Sequence, residues 1–564
     1  MYRDKRFYYI IRAACGFLLF WSLSAVSMHC AAQVLPEPAR PRPGPPTQFP
    51  QAPSEQLPPI EVEPLGGEAP PGASGIFLVL RGIDLDGVSA FDAKELEPFY
   101  HDFIGQRISL AQVFSIAEQI QSYYHAEGYI LSRVIVPAQS VDNGVFRLRV
   151  VEGFIGDIEL EGDIGPVRAR VMDYLENLVG TAPVTQLDLE RYLLLANDVP
   201  GIRAFGLLRS GSGATGASRL VVQADKTPLY GYAFVNNRGS RYTGPSRFSL
   251  LARENSGTFL GEQIEAIFTN TLFTNEQRYG QLTYRQILGG EGLRFDLSAS
   301  YGPSQPGYNL SSEDVRTLVM FAGGNLSYPI IRSRTHNLYV NGGFQAINQD
   351  IDVRGFKVNR DRVRVFYAGL AYDVQSIFDS YSTISVGLRQ GIDGLGASPA
   401  GDSDLSRLEG VPDFTSLNAQ ASHLQQIYEN LSIFFALVGQ YSFNTLLNIE
   451  EFRTGGEPFG RGYNPAELAG DSGLSGTAEL RYTLPAPLPY WQSVQGYGFY
   501  DFGVVWNRDP FADPKSSLTS TGIGVRNQVM ENLFVDLEVA WPLTRVPDTF
   551  TRNPRFFFQV LARY

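Results

Sequence analysis

Apolar and polar residues alternate with a period of two along the C-terminal part of the chain. Sixteen such runs can be placed there, and they begin near Leu229, Arg247, Glu262, Gln277, Leu293, Val315, His336, Arg362, Ser382, Phe414, Leu431, Gly476, Ser493, Ser516, Leu533 and Arg555. This period is typical of β-strands, because successive side chains of a strand point to opposite faces. The pattern predicts sixteen strands within residues 226–564.

The two faces of these strands differ in polarity. In the run that begins at Leu533, Asp536 and Glu538 lie on one face, while Leu537 and Val539 lie on the other. A charged side chain that faces lipid at mid-bilayer costs about 2 to 4 kcal/mol, so the charged faces must line a lumen. Transmembrane strands need about 9 to 11 residues, and bacterial barrels have even strand numbers. The runs therefore predict a transmembrane antiparallel β-barrel of about sixteen strands.

A soluble β-sandwich or propeller would also have alternating strands, and the aromatic residues favour the membrane barrel instead. Tyr, Phe and Trp recur near the ends of the outward faces, as they do in the interfacial girdles of outer-membrane barrels. The last run ends at Tyr564, which shares its face with Phe556, Phe558 and Val560.

A different pattern precedes the barrel, because short β runs alternate there with helical periods. After Ser109, Gln112 completes a capping box, and apolar residues follow at helical spacing. The same β-α-α-β-β order begins again at Phe154, with a second capping box at Thr185 and Asp188. We predict two tandem α/β units, at residues 76–153 and 154–225.

The first 32 residues are typical of an export signal. Basic residues at Arg3, Lys5 and Arg6 precede an apolar stretch that ends at Met28, and small residues follow it. We predict a signal peptide at residues 1–32; the alternative is an uncleaved membrane anchor, but the apolar stretch is shorter than the roughly 20 residues that span a bilayer. Both cysteines of the chain lie in this part.

Residues 33–75 are predicted to be a proline-rich linker. Ten prolines lie between positions 33 and 60, and such a run cannot form a helix. It is either an extended polyproline spacer or a disordered tether.

Composition excludes several classes of function. The net charge of −12 argues against nucleic acid as a partner. The chain has 5 His and 2 Cys, and no group of His, Cys and acidic residues has metal-ligand spacing, so we expect no metal and no cofactor. Gly470-Asp471-Ser472-Gly473 spells a serine-protease segment, but no suitable histidine base accompanies it. The GxGxxG match at residues 211–216 leads into a strand and not a helix, so it predicts a hairpin turn and not a phosphate-binding loop. Because neither match indicates a catalytic site, we expect no enzymatic activity.

A long loop from Glu450 to Tyr482 lies between the eleventh and twelfth predicted strands. Loops of this length are usually functional. Its glycines, among them Gly455 and Gly456, allow sharp bends and close packing. We predict a hairpin that folds back into the lumen.

Several stretches resemble a known family. EQIQSYYHAEGYILSRVIVPAQ, GVFRLRVVEGFIGDIELEG and LLLANDVPGI look like the paired POTRA domains of outer-membrane transporters of two-partner secretion, the haemolysin activation/secretion proteins of ShlB/FhaC/HecB type. The FGRGY core at residues 459–463 is similar to the sixth-loop motif of that family, although Gly460 stands where the family most often has valine. The resemblance covers roughly residues 76–564.

The resemblance also implies site residues. Gly460, Arg461, Gly462 and Tyr463 would form the lumen loop motif, and an inner-wall aspartate of the thirteenth strand would hold the loop arginine. In GYGFYDFGVVW, alternation places Phe499, Asp501 and Gly503 on one face, which must be the lumen face because it carries the charge. The resemblance thus pairs Arg461 with Asp501. A bidentate guanidinium–carboxylate pair would satisfy both groups in a confined lumen.

The implied function is a translocation pore in the bacterial outer membrane. Its POTRA domains would face the periplasm, recognise an unfolded exported partner protein and pass it to the cell surface without nucleotide hydrolysis. The other implied contacts are outer-membrane lipid, lipopolysaccharide and the barrel assembly machinery, which would read Phe558 and Tyr564 as a C-terminal signal. Family members often have a plug helix, which the proline-rich segment cannot supply in ordinary form.

Two alternatives to this function stay open. One is an assembly factor that inserts other outer-membrane barrels, because the loop and strand motifs occur throughout the wider superfamily. The other is a passive porin, which would leave the two α/β units without a task. The presence of two tandem units, rather than three or more, favours the secretion transporter.

Overall fold

The computed structural model describes residues 61–62, 69–141, 143–211, 214–376, 378–485, 491–544 and 552–564. The predicted signal peptide at 1–32, both cysteines and the ten prolines lie outside these residues. None of the helices in the described ranges is long and apolar enough to cross a membrane.

The first α/β unit follows strand β1, Glu61–Val62, and contains a three-stranded and a two-stranded sheet. Its elements are β2 (Phe77–Val79), β3 (Gly82–Asp86), helix α1 (Ala93–Leu96), β4 (Arg107–Ser109), helix α2 (Leu110–Ala126), β5 (Arg133–Ile135) and β6 (Val145–Val151). The strand order is β3-β6-β5, with β2 paired to β4. The capping box predicted at Ser109 is present, and α2 buries Val113, Ile120 and Tyr124 in the core of the unit.

The second α/β unit repeats this topology. Its elements are β7 (Phe154–Glu161), helix α3 (Arg168–Leu175), helix α4 (Gln186–Asn197), β8 (Ile202–Ser210) and β9 (Ala217–Lys226). In each unit the first strand of the three-stranded core runs parallel to the last, and the remaining strand is antiparallel. Strand β1 adds to the second unit, because Glu61 and Val62 pair in parallel with Leu207 and Leu208 of β8. This part of the predicted linker is therefore a sheet strand.

Glu152 closes the first unit at its junction with the second. Its carboxylate accepts hydrogen bonds from the backbone N–H groups of Ser89 and Ala90, at 2.7 and 2.8 Å, and from the hydroxyl of Tyr124 at 3.0 Å. Burial alone would raise the pKa of Glu152, but these hydrogen bonds outweigh it and lower the pKa. The carboxylate is therefore ionised at neutral pH and holds the segment before α1 against β6.

Sixteen antiparallel strands close into a barrel, as the sequence predicts. They are β10 (Leu229–Asn236), β11 (Arg247–Asn255), β12 (Glu262–Thr271), β13 (Arg278–Leu288), β14 (Leu293–Ser304), β15 (Val315–Arg332), β16 (His336–Val353), β17 (Phe356–Ser376), β18 (Ser380–Gly391), β19 (Thr415–Tyr428), β20 (Leu431–Ser442), β23 (Ser472–Pro485), β24 (Ser493–Trp506), β25 (Lys515–Met530), β26 (Leu533–Pro542) and β27 (Arg555–Arg563). Strands β10 and β27 close the ring with Tyr232 opposite Arg563. Beyond β27, the backbone of Tyr564 pairs with Gly231.

The described strands turn apolar residues outward and polar residues inward. Leu297, Leu370, Val386 and Leu437 are among the exposed apolar side chains in the middle of strands. The inward positions are largely polar, and the buried polar side chains include Ser249, Gln263, Ser300, Ser422, Thr477, Glu479, Asp501 and Glu538. This division matches a barrel with lipid outside and a polar lumen.

Strands β15, β16 and β17 are longer than a bilayer requires. They contain 18, 18 and 21 residues, whereas about 9 to 11 residues suffice to cross. The eighth predicted run, placed near Arg362, misses the outer part of β17, which begins at Phe356. These three strands form a tall wall on one side of the barrel.

The second unit is fixed to one end of the barrel, which we call the inner end. Arg332, the last residue of β15, forms a bidentate ion pair with Asp198, at 2.7 and 2.9 Å. The hydroxyl of Ser256, after β11, donates to the carbonyl oxygen of Pro200 at 2.6 Å, and Ile287 of β13 joins the hydrophobic core of the unit. Because neighbouring strands are antiparallel, the segments 392–414, 443–471 and 507–514 all lie at the opposite, outer end.

Candidate functional site

The loop at residues 443–471, between β20 and β23, folds into the barrel. It carries a short hairpin of β21 (Phe452–Thr454) and β22 (Leu468–Gly470). Phe452, Tyr463 and Leu468 of the loop form a buried cluster with Val505 of β24 and Leu518 of β25. The loop ends earlier than predicted, since residues from Ser472 onward belong to β23. The alternation that marks this strand begins within the glycine-rich stretch, where it is hard to read from sequence.

The structure brings Arg461 and Asp501 together. Nη2 and Nε of Arg461 lie 2.7 and 3.1 Å from the two carboxylate oxygens of Asp501. The backbone N–H groups of Gly460 and Arg461 donate to the same carboxylate, at 3.2 and 2.9 Å. Asp501 has no exposed surface and Arg461 is 3% exposed. Asp501 therefore fixes both the side chain and the backbone of the loop tip.

Two further carboxylates contact Arg461. Its Nη1 lies 2.6 Å from Glu479 of β23 and 3.4 Å from Glu538 of β26, while Nη2 donates to the hydroxyl of Thr477 at 2.9 Å. We call Arg461, Glu479, Asp501 and Glu538 the inner anchor. It connects the loop tip to three strands of the wall, which a single ion pair could not do.

Aromatic rings support the inner anchor. The guanidinium of Arg461 stacks 3.4 Å from the centroid of the Phe499 ring. The hydroxyl of Tyr497, on the same face of β24, donates to Glu538 at 2.8 Å. The opposite residue in β25 is Gly524, where a Cβ would come within 2.4 Å of the Tyr497 ring. Because glycine has no side chain at position 524, the Tyr497 ring can lie over β25 and reach Glu538.

The other predicted loop residues pack closely against the wall. A Cβ on Gly462 would lie 2.7 Å from the backbone nitrogen of Pro542 and 2.9 Å from Cβ of Ser520, so the loop backbone touches the barrel there. Tyr463 is fully buried, and its hydroxyl donates to the carbonyl oxygen of Thr519 at 2.9 Å. Gly503, on the inner face of β24, faces Thr454 of the hairpin.

The inner anchor belongs to a larger set of charges. Glu479 also pairs with Arg481 at 2.7 Å and with Arg526 at 3.2 Å. Glu538 also pairs with Arg238, which follows the first barrel strand, at 2.9 Å. Arg238 contacts Glu457 of the loop at 3.2 Å as well. Glu538 of β26 therefore connects the inner anchor to Arg238, which lies across the closure formed by β10 and β27.

We expect Glu538→Gln to weaken the anchor without removing it. The neutral amide loses charge-assisted bonds to Arg238 and Arg461, worth about 1 to 3 kcal/mol, but Arg461 keeps Asp501 and Glu479. Secretion by this variant should be reduced less than by Asp501→Asn, and the folded barrel should melt at a lower temperature on heated gels. Glu265→Gln is the matched control, because Glu265 of β12 pairs with Arg253 of β11 and is not part of the inner anchor. Equal losses in Glu538→Gln and Asp501→Asn would contradict this ranking.

Other predicted residues lie away from the inner anchor. Phe558 is on the outer face of β27 and Tyr564 is 87% exposed. Asp471 of the protease-like segment is fully buried and pairs with Arg407, at 2.6 Å. Within the described residues, no group of three or more His, Cys, Asp or Glu side chains could hold a metal ion.

Sequence reasoning missed Glu479, Thr477 and Arg238 as loop partners. The alternation of β26 does place Glu538 on the lumen face. What alternation does not give is the register between strands, which sets Asp501 opposite both Thr477 and Ser520. Only that register brings side chains of β23, β24 and β26 to one point.

Comparison with known families gives two matches along the chain. A profile of the family described as haemolysin secretion/activation protein ShlB/FhaC/HecB matches residues 216–527. A profile of the POTRA domain of ShlB type matches residues 78–153. The first covers most of the barrel and the second covers the first α/β unit.

Individual relatives are distant but extend over most of the chain. The heme/hemopexin transporter protein HuxB of Haemophilus influenzae is 23% identical over 458 residues, which are 80% of each chain. The outer membrane transporter CdiB of Dickeya dadantii is 20% identical over 495 residues, covering 84% of this chain and 85% of that one.

Two solved structures share the fold. CdiB from Escherichia coli has a TM-score of 0.73 at 18% identity, over 90% of this chain and 94% of that chain. CdiB from Acinetobacter baumannii has a TM-score of 0.64 at 18% identity, over the whole of both chains.

Proposed function

Because the chain belongs to the haemolysin secretion/activation protein family ShlB/FhaC/HecB, we propose that it is a pore that secretes one partner protein. Its barrel lies in the outer membrane, and its POTRA domain lies on the periplasmic side, as in the other transporters of this family. The inner end of the barrel is thus the periplasmic end, and the outer end faces the cell exterior.

The observation that carries this proposal is the attachment of two α/β units to a closed barrel with a polar lumen. The ion pair of Arg332 with Asp198 and the hydrogen bond of Ser256 to Pro200 fix the second unit beside the periplasmic entrance. A porin has no use for such units. A polypeptide that bound to them would be placed at the entrance of a lumen lined with hydroxyl, amide and charged groups.

The partner crosses as an unfolded chain. Its extended segments would add to a sheet edge of the α/β units, where backbone hydrogen bonds give affinity without demanding one sequence. We propose that residues 154–225 act as a second POTRA domain. Transport would proceed without nucleotide hydrolysis. Folding of the partner outside the cell would capture each segment that emerges and so supply the driving force.

The remaining parts of the proposal concern assembly and surroundings. Phe558 and Tyr564 would serve as the C-terminal signal that the barrel assembly machinery reads. The exposed apolar belt would contact outer-membrane lipid, and its outer rim would contact lipopolysaccharide. The inner anchor would hold the loop at 443–471 in the position that transport needs.

Removal of the protein tests this function against barrel insertion. We expect a strain that lacks the protein to lose one secreted product while other outer-membrane proteins stay at normal amounts. The measurement is the amount of the exported protein encoded nearby in the culture medium, together with the outer-membrane protein profile. A general loss of outer-membrane proteins would instead favour the assembly factor.

A further inference from the structure

Arg407, in the outer loop at residues 392–414, contacts carboxylates from two other loops. Its guanidinium lies 2.6 Å from Asp471, 2.9 Å from Glu451 and 3.5 Å from Asp509. Glu451 and Asp471 belong to the loop at 443–471 that carries Arg461, and Asp509 belongs to the outer loop at 507–514. Arg407 is only 5% exposed, so this outer ion cluster is buried although it lies at the outer end of the barrel.

The backbone contacts of the outer ion cluster are as close as the charge contacts. Asp471, which has no exposed surface, accepts the N–H groups of Leu446 and Arg508, both at 2.7 Å. Arg407 donates to the carbonyl oxygen of Leu446 at 2.9 Å. The side chain of Asp471 therefore connects both ends of the loop at 443–471 with the start of the loop at 507–514.

The loops at 392–414 and 443–471 also cover the lumen side of the tall wall formed by β15, β16 and β17. Inward-facing Ile347, Val363 and Val365 are buried beneath residues of the two loops, namely Leu405, Phe414, Leu446, Leu447 and Ile449. The amide of Asn359 donates to the carbonyl oxygen of Leu405 at 3.0 Å. Because these wall residues point into the lumen, the segments 392–414 and 443–451, which we call the outer cap, lie inside the barrel mouth.

The outer cap extends into a bridge across the mouth. The loop at 443–471 shares a buried apolar cluster with β16 and β17 and reaches Asp501 of β24 through Arg461. Strand β24 is six positions from β16 in a ring of sixteen strands. The two contacts thus lie about a third of the circumference apart, and the chain between them crosses part of the path that an exported polypeptide would take.

We propose that the outer cap is a gate that must move for the partner to leave, and that Arg407 is the positioning residue that holds it closed. This inference rests on the proposed function. Glu451, Asp471 and Asp509 share the guanidinium of Arg407, and without it their carboxylates repel one another at close range. The charge contacts that join the three loops therefore depend on one cation, which makes this point suited to release.

Ion conductance tests the gate without the partner. The purified full-length protein in planar bilayers should show several-fold higher conductance, or a higher open fraction, when Arg407→Ala is introduced. Arg316→Ala is the matched control, because Arg316 is an exposed arginine at the outer end of β15 that pairs with its neighbour Asp314 at 3.1 Å. Conductance of Arg407→Ala equal to that of Arg316→Ala would overturn the proposal.

A reversible crosslink tests the gate during transport. The backbone N–H of Ser406 in the cap donates to the carboxylate of Asp361 of β17 at 3.0 Å, so Ser406→Cys with Asp361→Cys places two thiols near each other between the cap and the barrel. Residues 33–564 contain no other cysteine. Oxidation, or a short bifunctional thiol reagent, should stop secretion, and reduction should restore it, with crosslinking followed by gel mobility and each single cysteine variant as a control.

The two tests separate the inference from the function on which it rests. If the crosslinked protein secretes its partner as well as the reduced protein does, the cap does not move and the inference is wrong. If the unmodified chain secretes no partner at all, the proposed function fails, and the conductance measurement alone still decides whether Arg407 holds a gate.

Discussion

Arg461→Ala is expected to abolish secretion while the barrel remains folded in the outer membrane. The guanidinium satisfies Asp501, Glu479 and Glu538 at once, and Arg461 is almost completely buried. Removal of one partner of a buried ion pair costs about 3 to 5 kcal/mol, because the remaining charge has lost its counter-ion. Here three carboxylates lose a shared cation, so the loop tip should leave the wall.

The measurement is the amount of partner in the medium, with outer-membrane fractions checked for the folded barrel. Arg285→Ala is the matched control, since Arg285 is also a lumen arginine and pairs with Asp296 at 2.7 Å but does not touch the loop. Arg461→Lys should give intermediate secretion, because an ammonium group keeps the charge but cannot bridge Asp501 in a bidentate way. Normal secretion by Arg461→Ala would refute the role of the anchor.

The sequence predicts the barrel well because its signal is local. Each strand shows its own alternation, and the energetic cost of charge in lipid decides which face turns inward. Fourteen of the sixteen predicted starts lie within two residues of those observed, and the two exceptions are β17 and β23. Charged residues mask the alternation at the start of β17, and glycines mask it at the start of β23.

The site could be predicted only in part, because it depends on contacts between distant segments. Family resemblance gave the pair of Arg461 and Asp501, and alternation placed Asp501 inside. Neither source could place Arg407 beside Asp471, since 64 residues separate them and loops carry no periodic signal. The sequence indicates Asp471 only as part of a protease-like motif, whereas in the structure it is the buried ion-pair partner of Arg407.

Gly503→Val is expected to reduce secretion nearly as strongly as Arg461→Ala, by a different cause. A Cβ on Gly503 would lie 2.2 Å from Oγ1 and 2.8 Å from Cγ2 of Thr454. Thr454 belongs to the hairpin of the lumen loop, so a valine on the wall would push the hairpin into the lumen. The barrel ladder itself needs no change, because β24 keeps its backbone pairing with β23 and β25.

Gly498→Val in the same strand is the control for Gly503→Val. A Cβ on Gly498 meets no atom nearer than 3.9 Å, and its position alternates with the buried Tyr497 and Phe499. This variant should secrete normally. A smaller wall change, Gly503→Ala, should be compensated by Thr454→Gly, because the atoms that the new Cβ would meet are then absent. Secretion that recovers in this double variant would place the fault in the contact of hairpin and wall. If instead Gly503→Val secretes as well as Gly498→Val, the hairpin does not need its seat on β24, and the inner anchor alone must position the loop.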